Sequence, residues 1–153
     1  MGRIEDRLSE LGIELPPPPK PVASYVPVVN AGGFAFVAGQ VARIDGEVLH
    51  PGLVGALVSV EQGAEAARQC TLQALSALRD ALGDLDRVRR IAQVTVFVSC
   101  VNDFTQQPEV ANGASDLLVE VFGDAGRHAR AAVGVSSLPL GAPVELTLVA
   151  ELA

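Results

Sequence analysis

Lysine is almost missing from this 153-residue chain: Lys20 is the only one, and with the arginines it sets 11 basic residues against 18 acidic ones, a net charge of −7. Aromatic residues make up 4%, with no Trp and a single Tyr. Proteins that hold nucleic acid neutralise phosphates with clustered cations and often stack bases on aromatic rings. The one short cluster here, Arg87, Arg89 and Arg90, fits a solvated corner between a helix and a strand. RNA and DNA are therefore excluded as main ligands. Histidine and cysteine are also scarce, two of each. Cys70 and Cys100 lie far apart with no CxxC spacing, so no zinc set can be assembled and no metal is expected. Two isolated thiols read as reduced cysteines of a cytoplasmic protein. The first ten residues carry acids and lack the apolar stretch of a signal peptide. Residues 21–42 carry no charge, which raises the question of a membrane span. Pro27, Asn30, Gly32, Gly33 and Gln40 interrupt the run, and a hairpin is the better reading; no membrane contact is expected.

Charge as a whole is thin, 19% against 49% hydrophobic residues, where an average soluble domain carries about 25%. A 15.8 kDa monomer must clothe roughly 7,300 Å² of surface. So few charges cover that poorly, and part of the apolar excess is expected to meet another copy of the chain. The length fits one domain, residues 1–153, with residues 1–21 as an N-terminal helix and a proline-rich extension.

Ile4, Leu8 and Leu11 share one side of a short helix, which Gly12 and the tract Leu15-Pro16-Pro17-Pro18-Pro19-Lys20-Pro21 bring to an end. Successive prolines favour an extended polyproline II strut. Val22–Val29 and Phe34–Val41 flank Asn30-Ala31-Gly32-Gly33 and predict a hairpin. Asp45-Gly46 marks a second turn before a short strand at Glu47–Leu49. From Val60 to Leu82 the period changes: Ala64, Ala67, Thr71, Ala74, Leu75, Leu78 and Leu82 recur at helical spacing, and Gly83 stops the helix. Val88–Val101 is strand, with Val94, Val96 and Val98 on one face. A second long helix is expected over Pro108–Phe122, and two strands, 128–136 and 143–151, follow. Two long helices among mostly adjacent strands predict an α+β fold, a mixed sheet with both helices packed on one face.

The last two strands are expected to pair as a hairpin through Leu138-Pro139-Leu140-Gly141. Val144, Leu146, Leu148 and Ala150 form the covered face of one. Ala131, Val133 and Val135 are taken as the covered face of the other. Arg130 and Glu145 then both project from the far face, about 13 Å apart along the sheet. That is too far for a simple ion pair, so each is free for a ligand or a neighbouring subunit.

Several segments together resemble the RidA/YjgF family. They are Ala38-Gly39-Gln40 with Asp45-Gly46-Glu47, the helix after Glu61, and Thr95-Val96-Phe97-Val98 leading to Val101-Asn102-Asp103-Phe104. The sharpest is Ala129-Arg130-Ala131-Ala132-Val133-Gly134-Val135, followed by Leu138-Pro139 and Val144-Glu145-Leu146. The likeness covers roughly residues 20–152. The N-terminal extension and extra length around Gln106–Val110 mark a longer branch. It implies a chorismate-mutase-like fold, a homotrimer with ligand clefts between subunits, and no metal or organic cofactor. Its best-known members hydrolyse reactive 2-imino acids to 2-oxo acids and ammonia. The family's older endoribonuclease label fits this acidic, aromatic-poor chain badly.

The residue chemistry suits that activity. Gripping a carboxylate calls for a planar bidentate donor, which Arg supplies and Lys does not; Arg130 aligns with the family arginine in that role. A carboxylate can orient water or take its proton, and Glu145 aligns with the family glutamate near the substrate. Tyr25 lies where the family carries a pocket tyrosine, and Gly39 would leave room for the ligand beside the backbone. Ala38 and Ala132 depart from the pattern, standing where many active members have Ser and Cys. Those two losses keep a second possibility open, a trimer that binds or senses small carboxylates without catalysis. Asn112 sits near a family asparagine, but the spacing is off by about three residues and no role is assigned to it. His50 is expected to be a loop residue and His128 a strand-entry packing residue.

Overall fold

Alternating apolar residues at 88–99 and 144–152 build the middle of a five-stranded sheet. The computed structural model describes residues 2–20 and 22–153. Met1 and Pro21, the last residue of the predicted proline tract, lie outside the described residues. The elements in chain order are α1 (Arg3–Glu10), β1 (Val28–Ala31), β2 (Phe34–Val41), β3 (Arg43–Ile44), β4 (Glu47–Val48), α2 (Val60–Leu82), β5 (Val88–Ser99), α3 (Gln107–Phe122), β6 (Ala129–Val135) and β7 (Val144–Leu152). β1 and β2 form the predicted hairpin, although β1 begins only at Val28 and the residues from Val22 to Pro27 are irregular. β3 and β4 make a separate two-stranded ribbon around Asp45-Gly46.

The sheet order is β1-β2-β7-β5-β6. β6 runs parallel to β5, and every other neighbouring pair in the sheet is antiparallel. The expected β6–β7 hairpin is therefore absent. α3 carries the chain from β5 to a parallel β6, as parallel neighbours require a long crossover. A single 3₁₀ turn at Pro139–Gly141 then leads past β5 to its other side, where β7 bonds both β5 and β2. β7 gains partners on both edges and a buried face, whereas beside β6 alone it would have had one.

The helix boundaries follow from capping. Ser59 and Gln62 form a capping box at the start of α2, and Gly83, left-handed at φ 78°, closes it. The helices lie on one face, over Val94, Val96 and Val98 of β5 and Val144, Leu146, Leu148 and Ala150 of β7, all fully or almost fully buried. Each fully buried Leu or Val contributes about 1.5–3 kcal/mol. Where α2 crosses α3 the backbones nearly touch: a Cβ on Gly113 would stand 2.0 Å from the Ala64 carbonyl oxygen. α1 closes one end. Its Arg3 and Ile4 amides donate to the Asp86 carboxylate at 2.7 and 2.8 Å, while Ile4 and Leu8 are buried. The extended tract that follows lies along α2, where the Ser76 hydroxyl donates to the Pro16 carbonyl.

The opposite face of the sheet is bare in the single chain. Phe34, Phe36, Val29 and Val133 stand on it, 37–49% exposed. They share that face with the polar side chains of Thr95, Glu145 and Thr147.

Candidate functional site

The predicted site residues fall into two clusters, one at each side of the sheet. The first surrounds Gly39. Between Val37 and Gln40 the β2–β7 register slips, so residues 38 and 39 bulge from the ladder. The Ala38 amide is satisfied instead by the Pro27 carbonyl at 2.8 Å, which holds the segment carrying Tyr25 against the bulge. Glu145, opposite Val41 on β7, projects from the bare face beside the glycine. A Cβ on Gly39 would begin 2.8 Å from Glu145 Oε2. Behind the bulge, the buried Gln40 amide donates to the Ala38 carbonyl at 3.2 Å. Gln73 of α2 braces the same turn through the Val41 carbonyl at 2.8 Å. A cavity of about 480 Å³ opens beside Gly39, with Tyr25, Lys20, Arg43, Pro16, Pro17 and Pro19 among its lining residues and Glu145 outside its lining. The proline strut is thus a wall of the pocket.

The second cluster surrounds Arg130 on β6. Parallel pairing puts Arg130 beside Val94, Ala132 beside Val96 and Gly134 beside Val98. Those valines face the helices, and so do Arg130, Ala132 and Gly134. This corrects the expectation that Arg130 and Glu145 share a face: within one chain they lie on opposite faces. The reason is that the more apolar set of β6, Ala131 and Val133, is the one left bare, while the register parallel to β5 turns Arg130 with the small Ala132 and Gly134 toward the helices. Arg130 sits at the sheet edge beyond the flank of α3, where Nη1 donates to Asn112 Oδ1 at 2.8 Å and to Ser115 Oγ at 3.1 Å. Ser115 Oγ is 2.9 Å from Nε2 of His128, whose Nδ1 is 2.6 Å from the Gly126 carbonyl oxygen. Among the described residues neither Arg130 nor Glu145 has an ion-pair partner. Three residues of offset and two strand spacings put their backbones roughly 14 Å apart. The separation agrees with expectation, but it arises from a different pairing.

Ser115 is the residue that sequence reasoning missed, and Asn112 is one to which it gave no role. Their i, i+3 spacing places them on one face of α3, which is the only local signal; the strand they meet comes from the crossover. His50 lies in the loop after β4, with Nε2 2.8 Å from Glu65 Oε2. Cys70 is packed between α2 and β7, its Sγ 3.7 Å from the Val144 carbonyl oxygen. Burial, reinforced by the nearby Glu145 carboxylate, pushes its thiol far up and keeps it protonated. Among the described residues no three His, Cys, Asp or Glu side chains gather as a metal site, and no helix is long and apolar enough to cross a membrane.

A mixed sheet covered by two long helices on one face, with polar residues free at either side, defines an α+β protein of the chorismate-mutase-like class. The chain belongs to the RidA/YjgF family: the model of the family described as "YjgF/chorismate mutase-like, putative endoribonuclease" matches residues 5–152. Protein TCP17 of Trypanosoma cruzi is 47% identical over 152 residues, covering 99% of this chain and 95% of its own. Two solved structures share the fold throughout. An Agrobacterium tumefaciens protein of unknown function is 42% identical at a TM-score of 0.90, over 98% of this chain and 93% of the other. A Shewanella oneidensis protein that bears the same endoribonuclease description is 34% identical at a TM-score of 0.93, over 99% and 100%.

Proposed function

We propose that this protein hydrolyses 2-imino or enamine acids to 2-oxo acids and ammonia, in clefts formed between copies of the chain in a closed homotrimer. One observation carries the reading: the residues proposed to bind the carboxylate and to direct water lie on opposite faces and opposite sides of the sheet of one chain. Tyr25, Gly39 and Glu145 belong to the β1–β2–β7 side, and Arg130 to the β6 edge. One chain cannot bring them onto one small molecule. A head-to-tail ring can, because it sets the β6 edge of each copy against the β1 side of the next. The apolar residues of the bare face support closure, since Phe34, Phe36 and Val133 would be covered in the ring.

In such a cleft the Arg130 guanidinium takes the substrate carboxylate through two parallel N–H donors. This fixes the adjacent C=N carbon. Glu145 of the next copy accepts a hydrogen bond from water and draws off its proton as oxygen attacks that carbon. The substrate enters as the protonated imine, which an enamine reaches by taking a proton at carbon, so attack leaves a neutral carbinolamine. Its nitrogen takes back the proton held by Glu145, the C–N bond breaks to release ammonia, and C=O forms as the hydroxyl gives its proton to water. Tyr25 donates a hydrogen bond to the bound acid. Gly39 leaves space for the carboxylate of Glu145, and Ala38 and Ala132 give the lining an apolar character. Imines hydrolyse unaided, so positioning and local electrostatics suffice.

The test mixes two inactive variants. Arg130→Ala and Glu145→Ala, assayed separately with 2-aminoacrylate generated in situ, are expected to release 2-oxo acid at the uncatalysed rate. Unfolded together and refolded, they should regain about a quarter of wild-type activity, the share of clefts receiving both intact halves when copies mix at random. No recovery, or full activity in Arg130→Ala alone, overturns the reading.

Ala38 and Ala132 favour a second reading, a trimer that binds small carboxylates without turnover. Saturable 2-oxobutyrate binding with no hydrolysis across a panel of imines would support it.

A further inference from the structure

We infer that Ser115 and His128 form a hydrogen-bond relay that presets the Arg130 guanidinium with its Nε–Nη2 edge outward, making both of them positioning residues for carboxylate recognition. The inference rests on the proposed role of Arg130. With the His128 ring neutral, the direction of the relay is fixed by chemistry. The Gly126 carbonyl can only accept, so His128 Nδ1, 2.6 Å away, carries the ring proton. Nε2 is then a bare lone pair, and the Ser115 hydroxyl at 2.9 Å donates to it. With its proton committed, Ser115 Oγ can only accept from Arg130 Nη1 at 3.1 Å. Asn112 Oδ1 takes the other Nη1 hydrogen at 2.8 Å.

Both Nη1 hydrogens thus have acceptors. Among the described residues nothing accepts from Nε or Nη2. Those two groups share one edge of the guanidinium, the edge that meets a carboxylate side-on through two parallel bonds. The relay begins on a rigid point. Gly126 is buried so tightly that a Cβ there would stand 2.1 Å from the Leu118 carbonyl oxygen of α3. An exposed arginine would otherwise have to be ordered on binding, and an arginine ordered in advance avoids that loss. The pattern also states a preference: a planar acid makes both bonds, whereas an uncharged amide cannot accept both at full strength.

Calorimetry with 2-oxobutyrate and its uncharged amide, on the assembled protein, tests this. Wild type should bind the acid and ignore the amide, and Arg130→Ala should abolish acid binding. Ser115→Ala and His128→Phe should each weaken acid binding about three- to tenfold, the range of one lost hydrogen bond. Ser115→Thr, which keeps the hydroxyl, should restore it to within about twofold. Combining Ser115→Ala with His128→Phe should add little, because one relay cannot be broken twice. Folded Ser115→Ala protein that binds the acid as wild type does, while Arg130→Ala does not, overturns the relay alone. Wild type that fails to distinguish acid from amide overturns the role of Arg130, and the relay with it. Ser115 is half-exposed on α3, so the Ala and Thr variants keep the test decisive even if His128→Phe fails to fold.

Discussion

The space where a side chain on Gly39 would begin is already taken by the carboxylate of Glu145, 2.8 Å away at Oε2. The clash is with the far end of a flexible side chain, so an alanine fits if Glu145 swings aside. Gly39→Ala is therefore expected to fold normally, its melting temperature within about 4 °C of wild type. Its kcat/KM for imine hydrolysis should fall about a hundredfold, as misplacing a catalytic group by roughly 1 Å typically does. Thermal unfolding and turnover on the same preparation check both halves. Normal turnover would remove Glu145 from the mechanism.

Gly113 has the opposite character. Its missing Cβ would meet the Ala64 backbone 2.0 Å away, and two packed helices cannot yield as a side chain can. Gly113→Ala should destabilise the fold by about 3 kcal/mol or more through overpacking. Urea unfolding reads this directly as a lower midpoint. An unchanged midpoint would mean that α2 and α3 cross further apart than described.

The third prediction concerns pH. The backbone amides of Ile4, and then of Arg3, donate to the Asp86 carboxylate and hold its pKa below the ordinary range. The folded form thus favours the ionised group. Its contribution to docking α1 is complete above the usual Asp value of about 3.9 and is lost as pH falls through the lower folded value. Hydrogen exchange at the Ile4 and Leu8 amides should accelerate below about pH 4, beyond the intrinsic change. Asp86→Asn should exchange faster already at neutral pH and lose that acid step. An acid step retained in Asp86→Asn would assign it to another carboxyl group.

Much of the architecture was written locally. The helical spacing from Ala64 to Leu82, with Gly83 as a stop, fixes α2 because every signal is contained within it. β7 declares its faces by setting Val144, Leu146 and Leu148 against Glu145 and Thr147. β6 points the wrong way, since its more apolar set, Ala131 and Val133, is the one left bare, and a short link containing Pro139 and Gly141 looks like a hairpin turn. Which strand β6 joins is decided by non-local pairing, since α3 must cross over to lay it parallel to β5. Arg130 was found by its motif but assigned to the wrong face for that reason. Asn112 was left without a role and Ser115 escaped notice, because their significance depends on where that edge strand runs.

The proline segment has a consequence for how such a protein diversifies. Pro16, Pro17 and Pro19 border the cavity while contributing no amide hydrogens to any ladder. Mutations that shorten, lengthen or bend this border can widen or narrow the opening without disturbing a single strand pairing. Selection could thus retune ligand size at one margin of the molecule while the sheet beneath stays as it is.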